Sequence, residues 1–500
     1  MERENLPVKK RVIIIGAGLG GLSAAIRLAA HGFNVTVLEQ QTCAGGKLQR
    51  VTEAGHRFDR GPSTITMPHM FEQVFTEVGK RMEDYVSFYP LMPSVRNIFR
   101  DGSVVDLHRS ADVMASQIAM YSPEDAAAYR SFTQEAARLY RISEEQFLGK
   151  LMLGWRDMVS PQMAAAFMKI RPFTSLQSLL RRYFRHPNTL AMLGRYATYV
   201  GSSPYEAPAI FAMLSHVESE IGVFGVKGGT SAIVQAYAKL AGELGVDIQY
   251  NVQVERIIVH NGRATGVETD GFPLEADLVI AGGDVLTICE KLLRQEDRPS
   301  LSNSRIQAYE PSLSGFVMLV GTQVSQPKLL HHTVFFPDQY PSEFQAIFRE
   351  RRAPKQPTLY VCHPAISEPE AAPPGGSSLF VLANAPYLSQ QWSWQQERES
   401  YANWIEAELT GLGVAGLEQA TVRQVYTPED LHRDTSAYRG AIYGISSNRA
   451  RQTFLRPSNR SKDVEGLWFV GGTTHPGGGT PIVTRSGQLV AEHLIKLYGS

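Results

Sequence analysis

Apolar residues fall into three patterns along the chain. Short unbroken runs occur at Val12-Ile13-Ile14-Ile15, from Asn34 to Leu38, at Leu278-Val279-Ile280-Ala281 and at Leu467-Trp468-Phe469-Val470. They are too short for helices and rich in β-branched or aromatic residues, which predicts buried strands. Helical spacing occupies Leu22 to His31, closed by Gly32, then Thr230 to Leu244, closed by Gly245, and Ile482 to Leu497. Ser122-Pro123-Glu124 reads as a further helix start, with a capping hydroxyl and Pro at the first position. Alternation marks Val95 to His108 about Asp101-Gly102, and Ala264 to Glu268 between Asn261-Gly262 and Asp270-Gly271. Such turns predict hairpins. Val246 to Val259 supplies two more short strands. Gly315 to Val320, Thr333 to Phe336, Leu359 to Cys362 and Leu379 to Leu382 are strand-like, and Pro373-Pro374-Gly375-Gly376 reads as a loop.

The first run leads into Gly16, Gly18 and Gly21, in the spacing G-x-G-x-x-G, and the second run ends at Glu39. Each glycine serves a separate need: Gly16 permits a tight turn, Gly18 allows close approach to a pyrophosphate, and Gly21 allows close helix–strand packing. The free N–H groups and the dipole of the helix start favour two phosphates there. Glu39 falls where a carboxylate bonds a ribose hydroxyl pair. Strand, glycines, helix, strand and acid in register predict dinucleotide binding. Gly45, Gly46 and Lys47 extend the fingerprint, and Phe58-Asp59-Arg60-Gly61-Pro62-Ser63 follows; an NAD half-site needs neither. At the far end Gly471 and Gly472 lead to His475, Pro476, Gly477, Gly478, Gly479, Thr480, Pro481 and Ile482. This is a second bare helix start, suited to the flat anionic ring of a flavin. The two ends of the chain are expected to build one FAD site.

GAGLGGLSAAIRLAAHG, LEQ…GGK, FDRGPS and VGGTTHPGGGTPIVTRSGQ together resemble the bacterial phytoene desaturase family of FAD-dependent carotenoid oxidoreductases, nearly end to end. Within it, GPSTITMPHMFEQVF, TYVGSSPYEAPAIFAML, HHTVFFP and YRGAIYGISS look most like the diaponeurosporene oxygenase branch. The resemblance implies an α/β fold in which a two-dinucleotide-binding, Rossmann-like FAD domain is interleaved with a mixed α+β substrate domain. Residues 1–75, 226–290 and 441–500 would form the FAD domain. Residues 76–225 and 291–440 would form the helical and β-rich parts of the substrate domain. It also implies an adenine contact at Val254 and an acyclic carotenoid substrate. Members of the family with Ala in place of Gly478 suggest that glycine leaves more room near the ring.

Composition narrows the picture further. Hydrophobic content of 43% with 20% charged residues is ordinary for a globular chain, and 49 basic against 49 acidic residues argues against a nucleic-acid binder. Cys43, Cys289 and Cys362 are widely spaced and read as free thiols in a reducing cytoplasm. Met1 to Lys10 has no apolar core, so neither signal peptide nor anchor is expected, and no apolar run is long enough to span a bilayer. Met158 to Tyr205 is distinctive. It carries Lys169, Arg171, Arg181, Arg182, Arg185 and Arg195 with no acid, interleaved with apolar residues such as Phe167, Met168, Phe173 and Phe184. A basic amphipathic stretch suits an anionic membrane surface, here the inner face of the cell membrane; it also suits a cap over an apolar pocket.

No nucleophile–base set, Walker loop or metal spacing is present. His331 and His332 are adjacent, and on a strand they would point to opposite faces, so no metal is expected. The chemistry belongs to the flavin, with an apolar tunnel orienting the polyene. His475 and Asp59 are the candidate acid or base, against plainer roles in shaping a loop and anchoring a turn. Three activities remain: oxidation of a terminal methyl to the aldehyde, desaturation, and non-catalytic lipid carriage of the Rab GDP-dissociation inhibitor type.

Overall fold

The computed structural model describes residues 9–154 and 161–499, with the side chains of residues 161–164 excluded. Most of Met1 to Lys10 and the start of the basic stretch at Met158 therefore lie outside the described residues. Five strands from distant parts of the chain form one parallel sheet, in the order Leu467–Phe469, Leu278–Ala281, Arg11–Ile15, Asn34–Glu39, Asp247–Tyr250. Parallel strands are covered on both faces, which is why these segments read as unbroken apolar runs. Val12 and Ile14 bury against one cluster, and Ile13, Val279 and Ala281 against the other. The helices Leu19–Ala30 and Thr480–Tyr498 cross here at backbone distance. A Cβ at Gly487 would stand 2.1 Å from the Gly20 carbonyl oxygen, and Ser23 Oγ donates to the Thr484 carbonyl at 2.8 Å. Both helices begin earlier than periodicity predicts, because Gly18 and Gly479 are their N-caps and the residues after them complete the first turn.

A second sheet has seven strands, in the order Val422–Tyr426, Ser314–Thr322, Ser377–Ala385, Leu359–Cys362, His332–Phe335, Arg96–Ile98, Val104–Asp106. It is antiparallel except where His332–Phe335 runs alongside Arg96–Ile98. Val422–Tyr426 escapes sequence reading because its two apolar valines are three apart, not two. One face packs on the helix Trp394–Gly411 through Phe316, Met318, Val361 and Val381. The expected hairpin turns form, with Asn261, Gly262, Asp270 and Gly271 all at positive φ. A further hairpin, Gln49–Glu53 with His56–Arg60, turns at Ala54-Gly55 and carries no alternation strong enough to announce it.

The helical part, from Pro123–Ser143 through Pro187–Gly194, has its own core. It buries much of the apolar side of the basic stretch: Leu176, Leu179, Leu180 and Phe184 are wholly buried, and Arg195 is 6% exposed. Met168 and Phe173 are the large apolar side chains of the described stretch that reach solvent, at 66% and 81% exposure.

Glu343, on the helix Tyr340–Gln345, is buried where this part meets the seven-stranded sheet. It accepts bonds from the Thr358 hydroxyl at 2.6 Å and from Asn384 Nδ2 at 2.8 Å. Desolvation outweighs them and pushes its carboxyl up to about 7. The protonated form is the one the fold favours, so its stabilisation is complete below the unfolded carboxylate's range and is lost as pH rises through 7. The amount is on the order of 3 kcal/mol. Urea unfolding of the protein and of Glu343→Gln between pH 5 and 8 is expected to show a decline with pH that the variant lacks; parallel profiles would disprove this.

Candidate active site

The glycines of the first fingerprint form a cradle with no side chains. Gly16 has φ +95° and donates its N–H to the Leu38 carbonyl at 2.8 Å. A Cβ at Gly21 would meet the Gly16 carbonyl oxygen at 2.3 Å, which is the close packing expected of the third glycine. Gly18 caps the helix without a side chain, leaving the first turn open to an anion. Gly45 donates to the Ala17 carbonyl at 3.1 Å, and a Cβ at Gly46 would lie 3.4 Å from Gly18 Cα. Gly61 is pressed against the Lys47 carbonyl, with Pro62 next to it. Lys47 Nζ donates to the Ala441 and Ile442 carbonyls, joining this loop to the last part of the chain; burial lowers its pKa and Asp284 opposes that. Glu39 is 5% exposed and accepts from the Ala17 N–H at 2.8 Å and the Gln41 N–H at 2.9 Å. Val254 follows closely on Val252, whose N–H donates to the Glu39 carbonyl.

The second bare helix start faces the same space. A Cβ at Gly472 would stand 3.4 Å from Gly478 Cα, and Gly471, Gly477 and Gly479 have positive φ. The His475–Pro476 bond is cis, Thr480 and Pro481 form the first helical turn, and Ile482 packs beside Met67 and Met70. Arg456, which the sequence did not single out, donates to the Gly472 carbonyl at 3.0 Å.

Comparison with known proteins gives the family and its cofactor. Residues 19–495 match the family of flavin containing amine oxidoreductases. The chain belongs to this family. It is a flavoenzyme, an FAD-dependent oxidoreductase and not a passive carrier. It is 36% identical to a 4,4'-diapolycopene oxygenase of Methylomonas sp, with 97% of this chain and 98% of that protein covered. It is 34% identical to a zeta-carotene-forming phytoene desaturase of Myxococcus xanthus, with 97% and 94% covered. In fold it is similar to an oxidoreductase from Methanosarcina mazei, at a TM-score of 0.66 and 18% identity, covering 96% of this chain and all of that one. A triple mutant of putrescine oxidase gives 0.65 at 15% identity, with 98% and 99% covered.

The flavoenzyme's FAD cradle fits its cofactor: two uncapped helix starts, a backbone bare of side chains and closely packed at Gly21, Gly45 and Gly61, and an acid at the end of the second strand. The two acid–base candidates have other partners. His475 Nε2 lies 2.9 Å from the carbonyls of Phe147 and Lys150, and burial lowers its pKa to about 4, so it is a neutral donor bolting the glycine loop to the helical part. Asp59 accepts from the N–H groups of Thr230 and Ser231, at 2.9 and 3.3 Å, and so caps the helix Ser231–Glu243 from a distant hairpin.

Motifs far apart in sequence converge above the cradle. The Tyr443 ring lies between two glycines: a Cβ at Gly478 would be 2.8 Å from Tyr443 Cδ1, and one at Gly201 would be 2.7 Å from Cδ2. The room expected beside Gly478 is therefore filled by Tyr443, which corrects that expectation. Across the seven-stranded sheet, Tyr426, Val317, Leu382 and Tyr360 are register partners and all are incompletely buried, although they lie in the middle of the fold. They share one face, so they make a largely apolar floor about 14 Å long at the usual strand spacing, with the Arg60 guanidinium 4.4 Å from the Tyr426 ring centre at one end. At its end the Tyr360 hydroxyl bonds Ser63 Oγ at 2.6 Å and His332 Nδ1 at 2.8 Å. In the neighbouring helical part, Glu218 accepts from Tyr196 and Tyr199 hydroxyls at 2.8 and 2.6 Å, with Arg195 over the Tyr199 ring. The family resemblance points to the motifs holding Ser63, Gly201, His332 and Tyr443; nothing in spacing alone pairs them.

Proposed function

We propose that this flavoenzyme oxidises the terminal methyl group of an acyclic carotenoid such as 4,4'-diaponeurosporene, through the alcohol to the aldehyde. The observation that carries the reading is the floor of Tyr426, Val317, Leu382 and Tyr360, an apolar strip ending in hydroxyl groups. FAD, when bound, would accept two electrons as hydride, first from the allylic methyl and, after reoxidation, from the alcohol, with water or dioxygen as the source of the oxygen atom. The residues hold FAD at Gly16, Gly18, Gly21, Glu39, Gly45, Gly46, Lys47, Gly61, Pro62, Val254 and the segment from Gly471 to Ile482. The floor orients the polyene and excludes water, and Ser63 and Tyr360 offer hydrogen bonds to an oxygen at its tip. The relatives' names, oxygenases of carotenoids at 32–36% identity, support the same reading. The division of the chain after residues 75, 225, 290 and 440 belongs to this reading. FAD-loaded protein with liposomes should add oxygen to diaponeurosporene and yield an aldehyde by mass and absorption. Loss of hydrogen pairs from phytoene-type polyenes with a red-shifted spectrum would instead make it a desaturase.

Membrane contact at the inner face of the cell membrane is the second part of the proposal. No helix among the described residues is long and apolar enough to cross a bilayer. Exposed Met168 and Phe173 belong to the same stretch as exposed Lys169, Arg181, Arg182 and Arg185. An inserted aromatic with cations worth about 1 kcal/mol each would hold the protein at an anionic surface. Phe173→Glu is expected to cut co-sedimentation with anionic vesicles by about tenfold, and unchanged co-sedimentation would remove this contact.

A further inference from the structure

His331 and His332 do not point apart. The strand begins at His332, so His331 lies just outside the pleat, and the two rings meet with centroids 4.6 Å apart. Cys362 is the register partner of His332 on the next strand and faces the same side. A ring nitrogen of each histidine and the Cys362 sulfur lie within 4.8 Å of one another, and the three residues are 8%, 0% and 5% exposed. Each imidazole already has its Nδ1 engaged by a hydroxyl, His331 by Ser367 at 2.9 Å and His332 by Tyr360 at 2.8 Å. His332 Nε2 is buried with no partner. An unpaired buried nitrogen is costly, and an imidazole whose other nitrogen is held by an outer group is the usual form of a metal-binding histidine. His363, next to Cys362, is likewise buried with both ring nitrogens unpartnered, and its N–H donates to the His331 carbonyl at 2.8 Å.

We propose that His331, His332 and Cys362 bind one borderline-soft divalent cation of the zinc class. Two imidazoles and a thiolate are its preferred donors, and three protein ligands leave a fourth position open. Bond lengths of about 2.0–2.3 Å separate tetrahedral donors by about 3.3–3.7 Å, so the set closes by roughly 1 Å on the ion. Asp59 lies close enough to act on Cys362 and offsets part of the added charge. A cysteine thiol is protonated at neutral pH when no metal is bound. Binding therefore breaks the S–H bond, forms the S–metal bond and releases one proton to solvent, with no change of oxidation state. The site lies at the hydroxyl end of the floor but stands independently of the carotenoid reading.

The test uses the FAD-loaded full chain, stripped with chelator and dialysed against zinc alone. One zinc per chain is expected at roughly micromolar free zinc. X-ray absorption at the zinc edge should show one sulfur near 2.3 Å among nitrogens. Cys362→Ser should remove the sulfur shell and weaken binding at least about tenfold, and Tyr360→Phe, which removes no ligand, should weaken it about 10–100-fold. Cys43→Ser, at an exposed thiol, should change nothing. If Cys362→Ser fails to fold, by circular dichroism and flavin content, His331→Gln provides the same comparison. No retained zinc, or a sulfur shell that survives Cys362→Ser and disappears in Cys43→Ser, overturns the proposal.

Discussion

Gly21→Val is expected to yield protein that purifies without flavin and binds added FAD about 100-fold more weakly. Even a single Cβ at Gly21 would lie 2.3 Å from the Gly16 carbonyl oxygen and 3.3 Å from Ile14 Cγ2. The first of these is backbone of the cradle's own turn, so no side chain can yield to relieve the clash. The helix Leu19–Ala30 must withdraw from the strand Arg11–Ile15, carrying its uncapped N–H groups away from the phosphate position. Overpacking of this kind costs about 1–3 kcal/mol, and the upper end corresponds to a loss of that size. Flavin absorbance per chain and fluorescence titration measure it. Gly411→Ala serves as the control, because a Cβ there meets nothing within 4 Å. Wild-type flavin content in Gly21→Val would refute the assignment of the cradle.

Gly478→Val is the second large effect, read on FAD-saturated protein. The added side chain drives into the Tyr443 ring, which Gly201 blocks on the other side. We expect kcat/KM on the carotenoid to fall about 100-fold, equivalent to about 2.7 kcal/mol of transition-state stabilisation. Tyr443→Ala opens the same space. In the double variant the two losses should not add: its kcat/KM should lie within about tenfold of Tyr443→Ala alone, a coupling within the range seen for residues in contact. Strict additivity would mean that Gly478 and Tyr443 act separately, and would remove Tyr443 from the site.

Lys47 shows where reading along the chain stops. Its position after Gly45 and Gly46 marks it as part of the cofactor loop, but its bonds go to the carbonyls of Ala441 and Ile442, nearly four hundred residues away. Asp59 and His475 are similar: residue type makes each a plausible acid or base, and only their partners reveal a helix cap and a loop bolt. The basic stretch leaves two readings open for a related reason. Charge and apolar periodicity are the same whether a helix faces lipid or packs on a core, and the neighbours that bury Leu179, Phe184 and Arg195 come from other parts of the chain.

The sequence by itself determined the strand–glycine–helix–strand unit, the acid that follows it and the second glycine-rich helix start, while the family came from the resemblance those motifs carry. These depend on local rules: backbone freedom at glycine, the helix dipole, and a period of hydrophobicity set by one element at a time. The tertiary structure decided that Tyr443 stands between Gly201 and Gly478. It decided that Tyr426, Val317, Leu382 and Tyr360 line up in one register, and that two adjacent histidines share a space with Cys362. Each of these is a cross-chain contact fixed by sheet register and by where a strand begins, and a one-residue slip would point the same side chains to the opposite face.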